Sequence, residues 1–307
     1  MDVVRGIESL SVRAGPAAVT VGFFDGVHRG HQAVIRRTVD VAGSQGLAAV
    51  AVTFDRHPRE ILTPGTVPQL LTTLERKAEL IAALGVETLL VLEFTDDFSG
   101  WPPEEFVGRV LGEGLSAQHV VVGSNFTFGH KAMGNIVTLS DLGAASGFGV
   151  EGVGLLKVDG RTVSSPSVRA ALADGDLAWP VTALGRRYVV DGMVTAGAGR
   201  GAGLGFPTAN LEVPQRMLLP GEGVYAGKAQ VGGRSYVAAI NVGTNPTFGG
   251  EPLHAEAFLL DFEGDLRGEA IAIEFWARLR DETRFDSSEA LAKQISGDVE
   301  RTRALVS

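Results

Sequence analysis

Residues 22–31 read GFFDGVHRGH, and no other stretch of the 307-residue chain narrows its architecture as much. The apolar run before it, Ala17 to Val21, has the length and composition of a buried strand. Behind it, Gln32 to Ala42 carries Val34, Ile35, Val39 and Val41 at helical spacing. The next apolar run, Leu47 to Phe54, is again strand-like, so the opening of the chain predicts a βαβ unit with a parallel pair. In such a unit the loop leaving the first strand borders a crevice, and the following helix aims unsatisfied N–H groups and its positive dipole end into it. An anion suits that place. His28 and His31 stand three apart at the junction, and Gly30 between them has no side chain to obstruct a phosphate.

Two histidines at a helix start could also cap or pack the helix, or form a metal pair. The metal alternative loses weight because the chain has no cysteine and only six histidines, with no second paired spacing. Imidazoles without a carboxylate in their immediate spacing suit charge stabilisation at phosphorus better than proton abstraction. The stretch resembles the HxGH signature of the nucleotidyltransferase superfamily. Its extended form, GxFDGxHxGH, is similar to the adenylyltransferase half of the bacterial bifunctional riboflavin kinase/FMN adenylyltransferases. That resemblance implies that His28 and His31 are catalytic and that Gly22 and Gly30 lie against nucleotide.

Length and an apolar content of 45% are enough for two cores. A net charge of −9 and the absence of a dominant Lys/Arg cluster argue against a general nucleic-acid surface, so phosphate recognition has to be local. The absence of cysteine excludes disulfides and thiol chemistry. MDVVRGIESL has no basic segment leading into a long apolar core, and no stretch approaches a membrane span, which predicts a cytoplasmic protein without a membrane partner.

The texture changes near residue 184. Before it, strand-like and helical segments alternate (Leu74 to Leu84, Thr88 to Leu92, Pro103 to Leu111, His119 to Val122), predicting an α/β doubly wound parallel sheet over 1–183. After it come short alternating runs: Tyr188 to Val194, Gly223 to Val231, Tyr236 to Val242, His254 to Asp261 and Ala270 to Leu279. They predict a small antiparallel β-barrel over 184–307. The tail returns to helical spacing with Leu291, Ile295 and Val299, and Ser287 or Ser288 can cap it. Asp174 to Arg187 is the expected connection between the domains.

Three further stretches of the first domain bear on a nucleotide. VVVGSNFTFG, residues 120–129, is a strand ending in a glycine and an amide, readable locally as a plain turn. It resembles the family's GxNFxFG segment, which implies that Asn125 helps hold ATP. VSSPSVRAAL, residues 163–172, places hydroxyls ahead of a short helix, where they and an arginine could bind a triphosphate. It resembles the family's SSTxxR element, which carries Ser164, Ser165 and Arg169 over as nucleotide-binding residues. Pro166 stands in place of the threonine, which suits a first helical turn but removes a hydroxyl. FDRHPR, residues 54–59, resembles FDPHP, and His57 is expected to be structural or peripheral.

In the second domain, Gly197, Gly199 and Ala202 formally match a dinucleotide fingerprint, but glycines and Pro207 follow where a helix is required. A Walker loop fails too, because Glu222 occupies the position of its first glycine. What remains is a glycine flap leading into Phe206-Pro207-Thr208-Ala209-Asn210. In an extended segment Thr208 and Asn210 share a face, and a hydroxyl beside an amide oxygen can hold a hydrated Mg2+ against phosphates, or simply make a turn. The string resembles the GxLGFPTAN signature of flavokinases. The likeness continues through 219–226, 241–248, 253–262 and 279–285, and it implies that Gly205, Thr208 and Asn210 bind nucleotide, with Thr208 and Asn210 also binding the metal. It further implies that Glu256, on a strand with His254 and Phe258, is the base, and that Arg280 approaches flavin. A strand glutamate is otherwise usually just solvated. One departure is Asp265-Leu266-Arg267-Gly268, where the family has DLYG.

The expectation is therefore a bifunctional enzyme with riboflavin, FMN and ATP as substrates and Mg2+ as cofactor, making FMN from riboflavin and then FAD with release of pyrophosphate. One rival is a kinase whose first domain has lost activity, suggested by Pro166 and by Thr127 where relatives carry arginine. The other is a class I aminoacyl-tRNA synthetase-like protein, disfavoured by the acidic balance and the lack of a KMSKS-like lysine pair.

Overall fold

The computed structural model describes residues 1–10, 15–196, 203, 205–244 and 253–306. It divides into two compact units, one of residues 1–68 and 74–164, the other of residues 69–73 and 165–307.

The first unit is a six-stranded parallel sheet. Its strands are β1 (Asp2–Arg5), β2 (Ala17–Val21), β3 (Ala48–Phe54), β4 (Thr88–Leu92), β5 (Ala117–Gly123) and β6 (Gly149–Val153), in the order β1-β4-β3-β2-β5-β6. Both faces are covered. Val19, Val21, Val50, Val52, Leu90 and Leu92 face one layer, while Ala51, Leu89 and Val91 face Ile35 and Ile81 on the other. That two-sided burial explains why the strands read as continuous apolar runs. The strand order reverses between β2 and β5, which pair directly, Thr20 beside Val121. At such a switch point the loops leaving the two carboxyl ends diverge and open a crevice. Helix α1 (Arg29–Gln45) begins three residues before the expected Gln32, because His28 caps it, and it ends at Gly46 in a left-handed conformation. Helix α2 (Leu74–Ala82) covers the turn at residues 25–27, and α3 (Ile136–Ser146) precedes β6. The expected helix from Pro103 starts as predicted and widens into a π-helical stretch over Val107–Gly114.

The second unit opens with two helices, α4 (Ser165–Ala173) and α5 (Ala178–Leu184). Half of the segment expected as the connection, 174–187, is thus helical. Asp176 accepts from the backbone N–H groups of Ala178 and Trp179, and Trp179, Ala183 and Leu184 are buried. A closed antiparallel barrel follows, of β7 (Tyr188–Thr195), β8 (Ala209–Glu212), β9 (Gly223–Val231), β10 (Arg234–Gly243), β11 (His254–Leu259) and β12 (Ala270–Arg280). The ladder runs β7-β8-β11-β10-β9-β12 and returns to β7, with every pair antiparallel. Closure leaves no open edge. Tyr225, Phe275, Ile240, Ile273 and Val242 fill the interior. Five barrel strands follow the sequence pattern. The sixth, β8, is only four residues long and is preceded by Gly and Pro, so it carries no alternation signal of its own. The terminal helix α6 (Ser288–Val306) is capped by Ser287, whose hydroxyl accepts from the Ala290 N–H. Its most buried residues are Asp298, Thr302 and Val306, on the side of the helix predicted from Leu291, Ile295 and Val299.

Candidate active sites

In the first unit the chain leaves β2 through Gly22 and turns sharply at residues 24–27. Phe24 (φ 53) and Val27 (φ 39) are both left-handed, an expensive conformation for a bulky and for a β-branched residue. Their side chains compensate by burial among Ile35, Ile81 and Leu89. The turn ends at His28, in extended backbone, whose Nδ1 accepts the His31 backbone N–H at 3.2 Å. An imidazole here does what Ser or Asp usually does at a helix N-cap. Accepting at Nδ1 makes the neutral ring the Nε2–H tautomer, so the remaining ring nitrogen is a donor. The His28 and His31 rings stack at 3.6 Å between centroids, 19° apart, and Phe24 meets His31 edge-on at 5.3 Å.

The capping alternative is therefore realised, and it serves to orient the pair. His31 keeps its Nδ1 sealed from solvent without a partner among the described residues. Burial first, then His28, then Lys77, hold its pKa well below the usual imidazole value.

A Cβ on Gly30 would sit 3.1 Å from the His28 ring and 3.7 Å from the Val163 carbonyl, so the strand leading to Ser164 runs past the start of α1. A Cβ on Gly22 would meet the Phe24 ring at 2.8 Å. Asn125 is exposed in the turn closing β5, on the other side of the switch point from the histidine loop. The described geometry thus places Gly22, His28, Gly30, His31 and Asn125 at the carboxyl ends of two neighbouring strands. His57 lies edge-on to Phe23 at 4.8 Å, and its Nδ1 accepts from the Arg59 N–H. Ser165 and Arg169 belong to the second unit, where Ser165 opens α4 with Pro166 in its first turn. There Arg169 donates its Nε to the Gln69 carbonyl at 2.6 Å.

In the barrel, Gly205 takes a left-handed turn (φ 85), and Phe206 then packs edge-on against Phe258 of β11 at 5.4 Å. That contact sets the register in which Asn210 of β8 faces Glu256 of β11. The Thr208 hydroxyl donates to Glu256 Oε2 at 3.2 Å, and His254 Nε2 stands 3.7 Å from Oε1. Asn241 of β10 lies opposite Glu256 on its other flank and donates to Glu282 at 2.9 Å. Glu256 is thereby brought to Thr208 and Asn210 from a distant part of the sequence. Arg280 is committed elsewhere: its Nε and Nη2 hold Asp298 of α6 at 2.9 and 2.8 Å, with Asp298 almost fully buried. It also donates to the Asp281 carbonyl and the Thr283 hydroxyl. A cavity of about 750 Å³ is lined by Glu222, Thr244, Arg278, Asp281 and Glu282 among others, all but Arg278 of these five in the flavokinase-like stretches. Residues 197–202, 204 and 245–248 of the two glycine- and asparagine-rich motifs lie outside the described residues.

Known protein families divide the chain in the same two parts. The FAD synthetase family matches residues 11–167 and the riboflavin kinase family residues 184–306. The chain belongs to the bifunctional riboflavin kinase/FMN adenylyltransferase family. A family member of Pseudomonas fluorescens is 39% identical over 99% of this chain and 98% of its own length. Those of Listeria monocytogenes and Bacillus subtilis are 38% and 37% identical over 93% and 92% of the chain, and 91% and 90% of theirs. A crystal structure from Streptococcus pneumoniae, titled a macrolide-efflux protein, has the same fold, with a TM-score of 0.89 and 29% identity over 99% of each chain. The efflux title belongs to that protein, and among the described residues here no helix is long and apolar enough to cross a membrane. Membership in the bifunctional family sets aside both the kinase-only and the synthetase-like rivals, and both transferase activities are those of this enzyme.

Lys77 is a third buried polar group beside the family's histidine loop, and no motif marks it. Leu74, Lys77, Ala78 and Ile81 fall on one helical stripe, so a lysine in a core register was the available signal.

Proposed function

We propose that the two activities are divided between the two parts of the chain, riboflavin phosphorylation in residues 184–307 and adenylyl transfer to FMN in residues 1–183. The supporting observation is the contact between Thr208 and Glu256. It lies wholly within the barrel, while the stacked imidazoles lie wholly within the parallel-sheet unit. In the barrel, Glu256 takes the proton of the ribityl 5′-hydroxyl as its oxygen attacks the γ-phosphorus of ATP, giving FMN and ADP. The Thr208 hydroxyl has committed its proton to Glu256, which leaves its oxygen lone pairs and the Asn210 amide oxygen as a neutral, oxygen-only donor set. Such a pair fits a hydrated Mg2+ that arrives with nucleotide phosphates, where the ion would offset phosphate charge. Arg280, as held by Asp298, acts on the flavin by shaping the loop after β12.

At the other site a phosphate oxygen of FMN attacks the α-phosphorus of a second ATP, and pyrophosphate leaves. His28 and His31 stabilise the charge that builds on the α-phosphate, with the Nε2–H of His28 as one donor. The helix start at Gly30, and Asn125 and Ser164 around it, hold the nucleotide. Incubation of the purified enzyme with riboflavin, ATP and Mg2+, followed by chromatography, should yield FMN first and FAD after it. Neither product appearing would overturn the reading.

A further inference from the structure

Helix α2 lays Lys77 against the turn at residues 25–27 with only 3% of the residue exposed. Its Nζ sits 4.0 Å from the centroid of the Phe23 ring, a cation–π seat, and the buried Asp25 carboxylate supplies the opposing charge. Burial pulls the ammonium down to about 8 against the pull of Asp25. The Lys77 charge also acts on His31, whose ring is flanked by the stacked His28 and by the uncharged edge of Phe24. A core position of an amphipathic helix ordinarily holds an aliphatic residue, because burying an ammonium is costly. Here the charge lies against the ring of Phe23, in the loop that would meet the triphosphate.

We propose that Lys77 is a positioning residue of the adenylyl-transfer site: its charged end, seated over the Phe23 ring, backs the turn that presents the imidazole pair and sets the field in which that pair meets phosphate. The consequence concerns the charge on His31. An imidazole kept neutral is not locked into an ion pair with ground-state ATP, so its interaction strengthens only as charge builds on the α-phosphate. The groups that set this balance are His28 and Lys77 around His31, and Asp25 facing Lys77. The inference rests on the assignment of adenylyl transfer to the His28/His31 loop.

The test is FAD formation from FMN, ATP and Mg2+ as a function of pH in the full-length enzyme, with riboflavin phosphorylation by the same preparation as the folding control. Lys77→Met should move the acid limb of kcat/KM upward by about half a pH unit or more. The His31 ring resonance should titrate at correspondingly higher pH, and kcat should suffer more than KM for ATP. In the native enzyme an alkaline limb should appear near pH 8, where Lys77 loses its proton, and Lys77→Arg should abolish that limb while keeping the acid one. A native pH profile in Lys77→Met, whatever its rate, overturns the inference. Should Lys77→Met fail to fold, an alkaline limb that persists in Lys77→Arg overturns it instead. An undiminished FAD rate in His28→Ala/His31→Ala would sink the loop assignment itself. Loss of rate in that double variant beside a native profile in Lys77→Met sinks only the role of Lys77.

Discussion

The two candidate phosphate-handling sites are built in opposite ways. In the parallel-sheet unit the chemistry sits in ten consecutive residues, and the site is made by a local event, one imidazole capping the helix that carries the other. In the barrel the residues come from β11 and from β8 with the residue before it, and the site exists only because the register sets Asn210 opposite Glu256. The first is largely sealed, with the rings serving as each other's environment, whereas the second is part-buried and open to solvent. Coupled, buried parts fail together. Parts assembled by register can be removed one at a time.

The most severe test of the contrast is the double variant His28→Ala/His31→Ala. FAD formation should fall by about a thousandfold or more, since each lost donor typically costs a hundredfold. FMN production from riboflavin by the same protein should be unchanged; an equal fall in both rates would abolish the division between the units. Glu256→Gln should slow riboflavin phosphorylation by about a hundredfold or more while leaving FAD formation from supplied FMN intact, as product chromatography would show. Kinase turnover at the native rate would remove Glu256 from the chemistry.

A milder change sharpens the claim that the imidazoles depend on each other's placement. Gly30→Ala sets a methyl 3.1 Å from the His28 ring, and a displacement of a few tenths of an ångström should cost about tenfold in FAD formation without touching the kinase. The smallest effect is on stability. The pKa of His31 is lower folded than unfolded, so below the usual imidazole value the unfolded chain binds the extra proton and folding weakens as pH falls. The unfolding free energy of the first unit, followed by urea titration, should therefore drop on acidification from pH 7, by at most about 1.4 kcal/mol per pH unit for one group. In His31→Leu this contribution should vanish. An unchanged slope in that variant would mean that the sealed imidazole does not titrate with folding.

What could be read from residues alone follows the range of the interactions involved. The βαβ opening was legible because strand, glycine loop and helix are adjacent in the chain, each marked by its own period. Five barrel strands were legible by alternation. β8 was not, because four residues after a glycine–proline break form a strand only when β7 and β11 flank them. The segment 174–187 looked like a connection, but Trp179 and Leu184 find partners only in the folded unit, and burial makes half of it helical. The resemblance set Arg280 against flavin. Its partner Asp298 is eighteen residues on, on a different element, and nothing local announces the pair.

By itself the sequence determined the two fold classes, the helix that starts at the paired histidines, and the oxygen-bearing and imidazole-bearing motifs, all of them set by neighbours within a few residues. Only the tertiary structure decided that the turns after β2 and β5 meet at one switch point, and that Glu256 takes the Thr208 hydrogen bond. It also decided that a lysine from α2 lies against the ring of Phe23 in the histidine loop. Those outcomes depend on strand order, register and helix placement, which are fixed by burying surface across long separations of chain, and no short window of residues records them.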